Sequence, residues 1–121
     1  MPSIKPHIET RDPSLVSEET AHRAYHALKA MCPEAGSWGF VQRVDIIAEP
    51  DTSDEARQRG ARSSVRIYAV TSMDEHAFEL TGGASPVVFA EPSAWRLLCG
   101  EKAPLADSKG NVTAPALSFL P

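Results

Sequence analysis

The sequence predicts an α+β domain in which an amino-terminal helix lies across a four-stranded antiparallel meander, followed by a short second helix and an extended carboxy-terminal tail. Three observations carry that expectation. Residues 38–49, WGFVQRVDIIAE, are the longest apolar-rich, β-favouring run in the chain. A second such run, 63–72, follows at hairpin distance, so the two read as a central antiparallel pair. A capped, amphipathic helical stretch precedes both.

Residues 1–13 read as an extended arm, because Pro2, Pro6 and Pro13 exclude a helix interior. Ile4 and Ile8 are its candidates for packing on the sheet. The single domain is expected over 14–100. Ser17 suits an N-cap, and Glu18 and Glu19 then fall at the positive helix end. Ala21, Ala24, Tyr25, Leu28, Met31 and Cys32 trace one stripe at the helical period. Pro33 and Gly36 stop the helix.

The first strand is expected over 40–48. Alternation puts Phe40, Val44, Ile46 and Ala48 on one face, with Gln42 interrupting, and Val41, Arg43, Asp45 and Ile47 on the other. The second strand, 65–71, sets Val65, Ile67, Ala69 and Thr71 against Arg66, Tyr68 and Val70. The first sets form a core face; the second sets mix aliphatic, aromatic and charged side chains. The connection PDTSDEARQRGAR, 50–62, is acidic first and basic after, and Ser53 can cap a helical turn inside it.

A turn at 73–76 leads to a third strand over 77–81, which Gly82 and Gly83 end. A fourth strand covers 86–90. Ser93 then caps a short helix over 94–99 that turns Trp95, Leu98 and Cys99 inward and stops at Gly100. Residues 101–121 read as a tail or small hairpin, with 105–106 and 112–113 flanking a turn at 107–111. The outline is similar to cystatin-like and NTF2-like α+β layouts; that likeness implies a fold outline and no function.

Composition narrows the function classes. The 121 residues fit one domain. A net charge of −4 and a pI near 5.5 lack the electrostatic footprint of a nucleic-acid binder. The same charge is too small for a mimic of a phosphate backbone. The amino terminus has no apolar run of signal-peptide length, and no stretch approaches the roughly 18 apolar residues of a membrane span. A cytoplasmic protein is therefore expected, with Cys32 and Cys99 reduced and buried as small apolar side chains. The Asn111-Val112-Thr113 sequon carries no meaning in that compartment.

Several constellations invite chemistry and do not reach it. His22 and His26 stand one helical turn apart, a spacing that can chelate a metal, with Glu18 one turn before. Arg23 follows His22 where a zinc protease carries its catalytic glutamate, so solvated histidines and no metal are expected. Asp74, Glu75 and His76 group two carboxylates with an imidazole, but in a turn sequence. Gly82-Gly83-Ala84-Ser85 lacks the Lys-Ser/Thr of a phosphate loop and the spacing of a nucleophile elbow. Cys32 and Cys99 each fall near a helix C-terminus, which disfavours a thiolate. No catalytic residue and no cofactor are assigned, and the reading leans to a non-enzyme.

The mixed sheet face is the strongest functional feature. Val41, Arg43, Asp45, Ile47, Arg66, Tyr68 and Val70 combine the residue types enriched in protein interfaces. With Arg57 and Arg59 of the 50–62 loop they form the expected partner-binding set of a protein-interaction module, a homodimer included. An alternative is a small-ligand protein or enzyme with a pocket between helix and sheet, using Gln42 and Tyr25. A third reading, nucleic-acid binding through Arg43, Arg57, Arg59, Arg62 and Arg66, meets the objection of interleaved carboxylates.

Overall fold

Among the described residues six strands form one sheet whose spatial order is its sequence order: β1 (His7–Thr10), β2 (Arg43–Pro50), β3 (Ser63–Val70), β4 (Glu75–Thr81), β5 (Val87–Ala90) and β6 (Asn111–Thr113). All neighbours are antiparallel except β1, which runs parallel to β2 with Ile8 opposite Ile46. The structure is a computed structural model and describes residues 4–32, 37–101, 104 and 106–121. The fold is α+β. The expected meander is β2–β5, and a strand is added at each edge.

The added strands come from the two ends of the chain. Pro6 bars a helix, and Ile8 and Thr10 alternate toward the core, so residues 7–10 pair with the free edge of β2. Parallel neighbours need a crossover, and α1 (Glu18–Ala30) supplies it. Ser17 caps α1 by accepting from Thr20 N at 3.2 Å. Ala21, Ala24, Tyr25 and Leu28 are its buried stripe. The expected stop at Pro33 and Gly36 lies outside the described residues.

One face of the sheet carries Val44, Ile46, Val65, Ile67, Phe78, Leu80 and Val88, all buried. The helix α1 packs across β1, β2 and β3, whereas α3 (Pro92–Cys99) packs against β4 and the 3-10 turn Ser37–Phe40. A line of rings joins the two halves: Tyr25–Trp38 at 5.8 Å and Phe78–Trp95 at 5.9 Å, both edge-to-face, with a tilted Trp38–Phe78 contact at 5.9 Å between them. Burying each large side chain in this layer contributes about 1.5–3 kcal/mol.

Residues 38–42 depart from the expected strand. Trp38 joins the ring stack, Gly39 disfavours extended pairing, and a 3-10 turn closes with Val41 N donating to Trp38 O at 3.0 Å. The turn reverses the local alternation. Phe40, expected in the core, is 77% exposed, and Val41, expected on the outer face, is 5% exposed. Gln42 is exposed rather than core-facing, and its backbone N–H donates to Val70 O at 2.8 Å.

Smaller differences have local causes. Glu75 and His76 belong to β4, not to the preceding turn, because Thr71 closes that turn on Asp74 O. Pro92 occupies the first turn of α3, whose N-cap Glu91 makes no side-chain cap bond; Ser93 is already helical. The short helix expected after Ser53 forms as α2 (Asp54–Gln58), with Ser53 Oγ accepting from Ala56 N.

Cys32 and Cys99 are not free thiols. They form a disulfide across a Cα–Cα distance of 5.2 Å, tying the end of α1 to the end of α3. Both helices cover the same sheet face, which is what brings their C-termini together.

The chain after β6 folds back under the sheet. Leu117 and Leu120 are buried, and Pro121 O accepts from Arg62 N, Ser63 N and Ser63 Oγ. Val112 pairs with Val88 in β5 rather than with 105–106, of which Leu105 lies outside the described residues.

Candidate functional site

The two helices and the carboxy-terminal turn occupy one side of the sheet. The other side is built mainly by β-strand alternation. The register aligns Glu9, Ile47, Arg66, Glu79, Phe89 and Asn111 in one row from β1 to β6. A second row runs His7, Asp45, Tyr68 and Ala77, and a third pairs Arg43, Val70 and Glu75. Ile47, Tyr68 and Val70 are half-buried, Ala77 is exposed, and Phe89 is 41% exposed. The short helix α2 borders this face at one end, where Glu55 and Ala56 line a cleft with Glu79, Phe89 and Asn111.

Its charges are partly tied to one another. Arg43 Nε lies 3.0 Å from Asp45 Oδ2. Glu49 lies between two arginines, 2.7 Å from Arg11 Nη1 and 3.7 Å from Arg66 Nε. The Tyr68 hydroxyl, and after it Glu79 and Glu49, hold the Arg66 guanidinium more firmly in its charged form. Such exposed pairs contribute about 0.2–1 kcal/mol each at most, so they orient the side chains more than they stabilise the fold.

Of the expected partner-binding set, Arg43, Asp45, Ile47, Arg66, Tyr68 and Val70 share this face. Val41 does not; it lies in the core. Arg59 joins the face at one end, where it lines a cleft with Glu79, Thr81, Phe89, Lys109 and Asn111. Arg57 is exposed on α2 and does not line that cleft. Phe89 and Ala77 are members that sequence reasoning missed. Alternation in the run PVVFA contains the signal for Phe89, since Val88 and Ala90 must face inward if Phe89 faces out.

Of the alternative pocket residues, Gln42 is exposed and not core-facing. Tyr25 does border a groove, formed by the arm at 4–6, α1 and the 3-10 turn. Burial pushes its phenol pKa up. On the same helix the Nε2 atoms of His22 and His26 approach to 2.8 Å. Desolvation, then His22, then Lys29, lower the His26 pKa.

The remaining constellations disperse. Glu75 and His76 alternate along β4 and so point to opposite sheet faces, while Asp74 sits in the hairpin turn. Gly82 and Gly83 form a turn that receives the chain terminus, with Gly83 N donating to Leu120 O at 3.1 Å. Among the described residues no group of three or more His, Cys, Asp or Glu side chains is placed to hold a metal ion. No described helix is long and apolar enough to cross a membrane. Comparison of the chain with family models, with curated proteins and with solved structures finds no match.

Proposed function

We propose that this chain is a non-catalytic protein-interaction module that binds through the outer sheet face, with a second copy of itself as the occupant. One observation carries the reading. A six-stranded sheet has α1 and α3 packed on one side and, on the other, half-buried Ile47, Tyr68 and Val70 and exposed Phe89, interspersed with charged side chains. Aliphatic and aromatic side chains mixed with charges in this way suit an interface. The face carries both signs, with Arg43 and Arg66 beside Asp45, Glu49, Glu75 and Glu79. Two-fold pairing therefore sets arginine against carboxylate in both directions. That mixture disfavours nucleic acid, which needs an excess of cations.

The Cys32–Cys99 disulfide supports an oxidising compartment for the module, in place of the cytoplasm expected from sequence. The cystatin-like and NTF2-like outline adds nothing to the functional reading.

Light scattering coupled to size exclusion tests the proposal. A concentration-dependent dimer is expected, weakened by about 1 kcal/mol or more in an Arg43→Glu, Arg66→Glu double variant. A monomer at the highest soluble concentration overturns it.

A further inference from the structure

On the opposite side of the molecule, the groove between the arm, α1 and the 3-10 turn has a volume of about 840 Å³. Ile4, Tyr25, Trp38 and Val41 form its apolar surface, and Lys5, His22, His26 and Lys29 its polar rim. Among the described residues the lining contains no carboxylate. In a chain of net charge −4 this is a local reversal of sign.

The rim is set by α1. His22, His26 and Lys29 follow one another at successive turns of the helix, and Lys29 Nζ sits 5.3 Å above the Tyr25 ring. The 2.8 Å contact between the His22 and His26 Nε2 atoms needs one ring to donate and the other to accept. Two imidazolium rings cannot share it, so the second proton is unfavourable unless an anion bridges the pair. In the same wall the Trp38 indole N–H is buried with no hydrogen-bond partner among the described residues.

We propose that this groove binds an amphipathic monocarboxylate, an aryl or alkyl acid whose apolar body lies on Tyr25, Trp38 and Val41 and whose carboxylate meets His22, His26 and Lys29. The apolar floor sets the body, and the cationic rim selects the charge. The inference stands apart from the interaction module, because it uses the other side of the sheet.

The proposal predicts pH dependence. The groups facing the carboxylate are His22, His26 and Lys29 from α1 and Lys5 from the arm. Desolvation, then His22 and Lys29, hold the His26 imidazole below its ordinary pKa, so binding tightens as pH falls through that lowered range and His26 gains its proton.

Calorimetric titration of the full chain with phenylbutyrate and with decanoate, each beside its uncharged amide, is the test. Either acid should bind at least about tenfold tighter than its amide. The His22→Ala, His26→Ala double variant, and separately Lys29→Glu, should lose about tenfold, while His7→Ala on the opposite face should lose nothing. Circular dichroism checks that each variant is folded. Equal affinity for acid and amide overturns the proposal, as does binding that the rim variants leave unchanged. So does the absence of binding by both acids up to about 5 mM. Zinc bound by the histidine pair, with neither acid bound, would replace the anion with a cation and overturn it too.

Discussion

Ser63 and Pro121 are joined twice: the Ser63 hydroxyl donates to Pro121 O at 2.8 Å, and the Ser63 backbone N–H donates to the same oxygen at 3.1 Å. Ser63 is completely buried at the start of β3. The pair ties the carboxy-terminal turn to the centre of the sheet, beside the buried Leu120.

Ser63→Ala removes the hydroxyl bond and leaves the two backbone bonds to Pro121 O in place. The expected loss is about 1 kcal/mol. Leu120→Ala, which empties a core site, should cost about 2–5 kcal/mol. Urea denaturation followed by circular dichroism measures both. If Ser63→Ala proves the costlier of the two, the hydroxyl and not the leucine holds the turn.

Gly82→Ala should destabilise by about 1–3 kcal/mol, because a Cβ there runs into the backbone of Leu120. Gly39→Ala is the control, since nothing lies within 4 Å of a Cβ at that position. The same denaturation series compares them, and equal midpoints would show that the terminal turn yields without cost.

The Cys32–Cys99 bridge closes a loop of sequence separation 67. Replacing both cysteines by serine should lower stability by about 2–4 kcal/mol, largely by freeing the unfolded chain. A reducing agent should reproduce the loss in the natural chain and change nothing in the double variant. Identical melting curves with and without reductant would mean that the bridge does not form in solution.

Asp107 organises the turn before β6, accepting from Lys109 N at 2.8 Å and Asn111 N at 2.9 Å. The bonds from Asn111 and then Lys109 hold its pKa below the ordinary value of 3.8. A depressed carboxylate contributes stability that is complete above its unfolded value and is lost as pH falls through the folded one. Hydrogen exchange at the Asn111 amide should therefore stay slow down to the ordinary aspartate range and speed up only below it. Asp107→Asn should show the fast exchange at neutral pH. Protection that is already lost near pH 6.5, the histidine range, would point to another group.

Much of the central architecture could be read locally. Ser17 and the stripe Ala21, Ala24, Tyr25 and Leu28 define α1 without help from the rest of the chain, because cap and period act within four residues. The parity of Val44, Ile46 and Ala48 and of Val65, Ile67 and Ala69 holds in the sheet for a similar reason: adjacent side chains on a strand must alternate. The outer face with Arg43, Asp45, Ile47, Arg66, Tyr68 and Val70 followed from that same parity.

What tertiary structure decided has long-range causes. Residues 7–10 become a strand only because β2, far along the chain, offers a free edge. Val112 pairs with Val88 for the same reason at the opposite edge. Trp38 enters the ring stack between α1 and α3, and that packing turns Val41 inward and Phe40 outward against the local pattern. Cys32 and Cys99 meet because both helices lie on one side of the sheet. Local propensity covers a few residues and cannot report which distant edge, ring or thiol a segment will meet; burial and backbone pairing settle that only once the sheet has assembled.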